Sequence, residues 1–186
     1  MAVCKQRAPE KRTFRQSTGR GFSLIEVMIV LVLMSILASM STTLGSLLDR
    51  FKLDSGSQAA VGSINLTRSE AIKRGSLVSI CRSSTGLDCD STSTDWSTGW
   101  TVFTNPNDND SIDAGEEVIR YHNGISSTLR MTWTSGNTLT FNPRGRPVSS
   151  GSFVVCLNGR TGTDLRTVAV SGTGTVRKSS LTGNCN

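Results

Sequence analysis

An α+β fold, one long N-terminal helix set against a small head of antiparallel strands, is predicted by three features of this 186-residue chain. The run Phe22 to Met40 is almost wholly apolar. From Leu44 to Ile72 apolar residues recur at helical spacing. From Ser76 onward, short β-branched and aromatic runs alternate with clusters of Gly, Asn, Asp, Ser and Pro. Seven such runs against one helix give an α+β head with antiparallel sheets.

The helix is predicted over Phe22 to Arg74, a reach of about 80 Å at about 1.5 Å per residue. Its first nineteen residues, Phe22 to Met40, carry a single charge, Glu26. A bilayer core needs about 20 apolar residues, so this stretch is long enough to span. An acidic side chain there costs on the order of 3 kcal/mol and calls for a partner. Beyond Met40 the pattern turns amphipathic through Leu44, Leu47, Leu48 and Phe51, then Ala60, Ile64 and Ala71, with a flaw at Asp54 to Ser57. Only this second half is suited to pack on a head. Gly75 is the predicted stop, and the charges of Lys73 and Arg74 suit a helix C-terminus. Gly45, Gly56 and Gly62 are predicted weak points, each costing about 1 kcal/mol relative to alanine.

Strands are predicted at Leu77–Cys81, Gly99–Phe103, Glu117–Tyr121, Leu129–Trp133, Thr138–Phe141, Ser152–Leu157 and Thr167–Val170. Residues after Val170 are read as loop and tail. One histidine, His122, and no plausible Ser-His-Asp arrangement leave no basis for an enzyme, and no cofactor is implied.

The junction Gly21-Phe22-Ser23-Leu24-Ile25-Glu26 closes a basic, polar stretch and opens the apolar run. It resembles the N-terminal signature of type IV pilins and type II secretion pseudopilins. The resemblance implies a type IV pilin-like fold, a cut after Gly21 by a prepilin peptidase, N-methylation of Phe22, and pairing of Glu26 with a neighbouring subunit's N-terminus. It divides the chain into a cleaved leader (1–21), a transmembrane half-helix (22–40), an amphipathic half-helix (41–75) and a periplasmic β-rich head (76–186). The leader is long for the commonest pilin class. A conventional signal peptide would end in a small-x-small site after 7–15 apolar residues. Here the run is longer, and Leu37-Ala38-Ser39 matches that site poorly. A plain signal anchor explains the hydrophobicity and the basic flank but not Glu26. In a filament core a Phe22 amine would meet a neighbour's Glu26, a desolvated pair that fixes register more than it adds stability.

Within the head, Thr67 to Gly75 running into Val78 and Cys81, Trp100 to Phe103, Gly115 to Arg120, and Phe141-Asn142-Pro143-Arg144-Gly145 resemble the H-type, GspH/FimT-like minor pilins. The implied protein is a single-pass inner-membrane subunit that enters the initiating or tip complex of a type IV pilus or type II secretion pseudopilus. Its implied partners are other minor and major pilins or pseudopilins. The alternative is a DNA-binding minor pilin for natural transformation. FimT-type receptors use a Gly-Arg-x-Arg motif, whereas this chain has Gly174-Thr175-Val176-Arg177, without the first arginine.

Cys4 lies in the leader. The other four cysteines would face the periplasm, where disulfides persist. Three pairings are open. The preferred one joins Cys81 to Cys89 across a short Ser/Gly-rich loop and Cys156 to Cys185, tying the tail to a strand. No C-x-x-C spacing exists and the lone histidine is remote, so no metal site is expected.

The net charge of +6 is mostly leader: Lys5, Arg7, Lys11, Arg12, Arg15 and Arg20 against Glu10 make +5, which leaves +1 for the mature chain. That remainder is segregated, with −6 from Phe22 to Ile119 and +7 from Arg120 to Asn186. Arg144, Arg146, Arg177 and Lys178, on or beside predicted loops, are candidates for docking an acidic subunit or DNA, docking being preferred. Arg68, Glu70, Lys73 and Arg74 are read as a solvated helix face with near-neighbour pairing. Asn107, Asn109, Asp113 and Glu116 approach calcium-loop spacing, but Asp110 stands where the turn glycine belongs, so a solvated hairpin tip is preferred.

Overall fold

The computed structural model describes residues 21–185, with backbone alone for residues 40–44 and Thr163. Residues 1–20, which include Cys4 and the basic residues of the expected leader, lie outside the described residues. The chain divides into two compact units, to Thr42 and from Thr43, and one helix, α1 (Leu24–Arg74), contributes to each.

In the first unit, apolar side chains from Leu24 to Leu37 are exposed around the helix, and no other described residue covers them. Ser35 and Ser39 hydroxyls donate to Val32 and Ile36 carbonyls at 2.7 Å, which satisfies them inside the apolar run. The described side chains of the apolar run end at Ser39, and among the described residues no helix is long and apolar enough to cross a membrane; the span expected over 22–40 extends beyond those side chains.

In the second unit, α1 buries Leu53, Ser57, Ala60, Ile64, Thr67 and Ala71. They alternate four and three residues apart, which keeps one stripe of the helix on the head. The stripe uses small residues so that backbone and sheet approach closely. Gly56 is part of this and not the weak point expected: a Cβ there would lie 3.1 Å from Leu129 Cδ1 and 3.3 Å from Ile125 Cδ1. Gly75 ends α1 at φ 63°, the left-handed cap that glycine adopts without steric cost.

Among the described residues, eight strands form two antiparallel sheets. The first holds β1 (Val78–Arg82), β2 (Trp100–Thr104), β3 (Val118–His122) and β5 (Thr138–Phe141) in the order β3-β2-β1-β5. The second holds β4 (Leu129–Trp133), β6 (Gly151–Leu157), β7 (Thr163–Val170) and β8 (Val176–Gly183) in the order β4-β6-β7-β8. Alternation sends Leu129, Met131 and Trp133 inward from β4, and opposite them Leu157, Val155 and Phe153 from β6. Trp96 meets Phe153 edge-on at 5.0 Å and Trp133 meets the same ring at 4.6 Å, joining the 3-10 turn Trp96–Thr98 to the second sheet.

Seven strands stand where alternation and turn residues predict them, within a few residues. β8 does not, and β7 starts four residues early, at Thr163. The cause is burial: β8 is an exposed edge whose residues Val176-Arg177-Lys178-Ser179-Ser180 show no apolar alternation, so periodicity carries no signal there.

The structure joins Cys81 to Cys89 with Cα atoms 5.7 Å apart, and Cys156 to Cys185 at 5.6 Å. The first closes the loop after β1; the second ties the end of β8 back to β6. By chain entropy each contributes about 2–4 kcal/mol, the longer loop more.

Candidate assembly junction and basic face

Gly21 and Phe22 precede α1 and are exposed, Phe22 by 80%. The Ser23 carbonyl accepts from the amides of Glu26 (3.0 Å) and Val27 (3.2 Å), which starts the helix directly behind the junction. Glu26 therefore sits in the first turn, where the helix dipole favours an anion. Its side chain is exposed, and it has no basic partner among the described residues.

The segregated charges of the head find each other within the chain. Asp54, at the flaw in the helical pattern, accepts from Arg166 Nε at 2.9 Å and Lys178 Nζ at 3.3 Å. Arg160 reaches Asp49 at 3.0 Å, and Arg50 reaches Asp164 at 3.3 Å. The register explains the first group: Val155 faces Arg166 and Val168 faces Lys178, so both cations lie on the inner, helix-side face of β7 and β8. Lys178 is thus not a free docking cation, and neither it nor Arg177 is on a loop. The bond from Arg166, more than that from Lys178, holds the Asp54 carboxyl below the usual carboxylate range. Its folded value lies below its unfolded one, so its contribution is present above about pH 4 and is lost as pH falls through the folded value. Asp54→Asn is expected to cost about 1 kcal/mol at neutral pH, the pairs being part-exposed. It should also flatten the acid limb of thermal stability below about pH 4. An acid limb identical to that of the unaltered chain would remove this role from Asp54.

The helix end departs from the solvated face expected. Glu70 pairs with Lys73 (3.5 Å) and Arg74 (2.7 Å) as near neighbours, but Arg74 also bridges to Glu117 at 2.7 Å. Arg68 is part-buried and donates through Nη1 to the Gly174 carbonyl at 2.9 Å. It lies beneath two touching turns, because a Cβ on Gly174 would fall 2.2 Å from the Gly145 carbonyl oxygen and 3.2 Å from Arg68 Nε.

The first turn is built by Asn142, whose side-chain oxygen accepts from the amides of Arg144 (3.0 Å) and Arg146 (3.2 Å). In the second, Gly174 donates to the Ser171 carbonyl, and Ser171 to the Thr175 carbonyl. Arg144 and Arg146 project from the first, and Arg177 follows the second on the outer face of β8, opposite Ala169. All three are exposed and without an ion pair among the described residues. Of the four candidates, the structure leaves these three free and commits the fourth.

The acidic loop closes on itself. Asn107 and Asn109 side chains each donate to Asp113 Oδ2 at 2.7 Å, and Glu116 Oε2 accepts from the Asp113 amide at 2.9 Å. The Ser111 hydroxyl adds a bond to Asp113 Oδ1 at 3.3 Å, and among the described residues no cluster of three His, Cys, Asp or Glu is placed to bind a metal. Sequence reasoning missed the role of Asp54 and read Arg68 as part of a solvated helix face. Their only signal was a charged residue interrupting, or flanking, an otherwise apolar helical stripe.

A long helix whose second half lies on two antiparallel sheets, behind a Gly-Phe junction with an acid in the helix's first turn, defines a type IV pilin-like protein. More particularly, the chain belongs to the family described as type II transport protein GspH, whose model matches residues 57–174. A prokaryotic N-terminal methylation motif matches residues 17–42. The fold is similar to that of the Pseudomonas aeruginosa (strain PAO1) type IV minor pilin FimU in two crystal forms. The P21 form gives a TM-score of 0.53 at 24% identity, over 69% of this chain and 88% of that one. The P65 form gives 0.52 at 24% identity, over 68% and 92%. No curated protein matches the chain.

Proposed function

We propose that the chain is a non-enzymatic minor pilin or pseudopilin, anchored in the inner membrane by the apolar start of α1 with its head in the periplasm. Cut after Gly21 and methylated on Phe22, it enters the initiating or tip complex of a type IV pilus or type II secretion pseudopilus. The observation that carries this reading is Glu26: an exposed acidic side chain in the first turn of an apolar helix, within a methylation motif, with no basic partner among the described residues. An unpaired acid in an apolar setting is penalised, and the free amine of a neighbouring subunit's Phe22 is the group that relieves it. Prepilin peptidase is the processing partner, and other pilins or pseudopilins are the assembly partners.

Glu26→Val tests the reading. The variant is expected to be processed and stably inserted, because the substitution removes a charge the bilayer tolerates poorly. It should nevertheless be lost from sheared filaments or from co-purified minor-pilin complexes by at least about tenfold, the effect of losing about 1.4 kcal/mol or more of coupling. Intact incorporation would refute the pairing role.

The three free arginines favour docking of the head onto an acidic neighbour. In the competing reading they hold DNA, and three phosphate contacts would give a log affinity against log salt slope of about −2.7.

A further inference from the structure

We infer that the free edge of β8 is a strand-addition site for an extended, acidic segment of a partner protein. This rests on the reading that the head docks partners and specifies how.

The four sheet edges are not alike. β5 is four residues long and is covered by the segment after it, with the Val148 amide on the Thr140 carbonyl at 2.9 Å. β4 is five residues long and is met by Asp95, which takes the Met131 amide at 3.1 Å. β3 is five residues long, and its register with β2 breaks between Val102 and Phe103. These are the usual ways of blunting an edge.

β8 has none of them. It runs eight residues in unbroken register, from Thr163 opposite Gly183 to Val170 opposite Val176, with no proline and no bulge. The one inward charge, Lys178, is drawn to Asp54 at 3.3 Å on the helix-side face and not outward along the edge. The strand is held at both ends, by the Ser171–Thr175 turn and by the Cys156–Cys185 disulfide just past Gly183. With Ser171 donating to the Thr175 carbonyl, ladder alternation turns the backbone groups of Val176, Lys178, Ser180 and Thr182 away from β7. Among the described residues nothing else bonds to them. An added strand would supply those bonds at little ordering cost to the head.

Charge selects the occupant. β8 presents Arg177 as its free cation and carries no acid, and the turn touching its hairpin adds Arg144 and Arg146. A second copy would bring the same cations to the edge, whereas an acidic strand would place carboxylates beside Arg177.

The test uses the full chain in mild detergent with disulfides intact, and a capped ten-residue peptide alternating glutamate and valine, followed by fluorescence polarisation. The peptide is expected to bind. N-methylation of every second backbone amide in it should abolish binding, with no change to the protein. Ser180→Pro removes one outward amide and leaves the ladder to β7 intact, so it should weaken binding about tenfold, the effect of one or two lost hydrogen bonds. Arg177→Glu should shift preference to a lysine–valine peptide. Equal binding of the methylated peptide, no binding at millimolar concentration, equal binding of the lysine–valine peptide, or self-association through this edge would each overturn the inference. Should the edge fail while Arg144→Glu with Arg146→Glu still breaks association with a partner pilin, docking stands and strand addition does not.

Discussion

A Gly21→Leu chain is expected to accumulate as full-length precursor, with no mature product detectable by mass. Gly21 lies ahead of α1 and is exposed, and a Cβ built on it meets nothing within 4 Å. The substitution therefore removes no packing and strains no backbone in the folded chain. What it adds is bulk at the bond that a peptidase specific for the Gly-Phe junction must accommodate. Mature mass, beginning at a methylated Phe22, would show that the cut does not need the small residue and would sink the processing assignment. Because folding is spared, the precursor should keep the same disulfides and the same melting temperature, which separates failed processing from failed folding.

Trp100→Ala is expected to cost about 3–5 kcal/mol, as a large aromatic deleted from a core does. Trp100 is 1% exposed on β2, between β1 and β3. Its Nε1 donates to Ser63 Oγ on α1 at 2.8 Å, and its ring stacks on His122 at 4.1 Å and 7°. One side chain thus joins the helix to the first sheet by packing and by a buried hydrogen bond. Burial and the nearby Arg120 push the His122 imidazole below its usual range, so it stacks as a neutral ring at neutral pH. Trp100→Phe keeps most of the packing but orphans Ser63, and should cost about 1–2 kcal/mol. Urea unfolding of the full chain in detergent gives both numbers. Equal midpoints for the two variants would mean that the hydrogen bond, not the packing, accounts for the whole effect, and a Trp100→Phe midpoint equal to that of the unaltered chain would mean the reverse.

Legibility followed burial. Leu129-Arg130-Met131-Thr132-Trp133 alternates because β4 has one buried face, and its bounds are the predicted ones. β8 was invisible because neither face is buried enough to demand apolar residues. Gly56 looks like a helix defect in one dimension and is a close-contact position in three. Lys178 and Arg177 are adjacent in sequence and were grouped as one surface, but strand alternation puts them on opposite faces of the sheet. One meets Asp54, and the other meets solvent.

The sequence by itself determined the junction, the helix, the α+β class and most strands, because local steric preference, hydrophobic period and the Gly-Phe-acid spacing are written in neighbouring residues. Only the tertiary structure decided which charges are spent and which remain. Asp54 lies far along the chain from Arg166 and Lys178, and Arg68 far from Gly174; Coulomb and hydrogen-bond terms depend on distance in space, which chain order does not encode. In the basic third, Arg144, Arg146, Arg177 and Lys178 were expected together as docking candidates on or beside loops. Folding turns part of it inward to hold the helix and leaves Arg144, Arg146, Arg177 and one open strand edge for a partner.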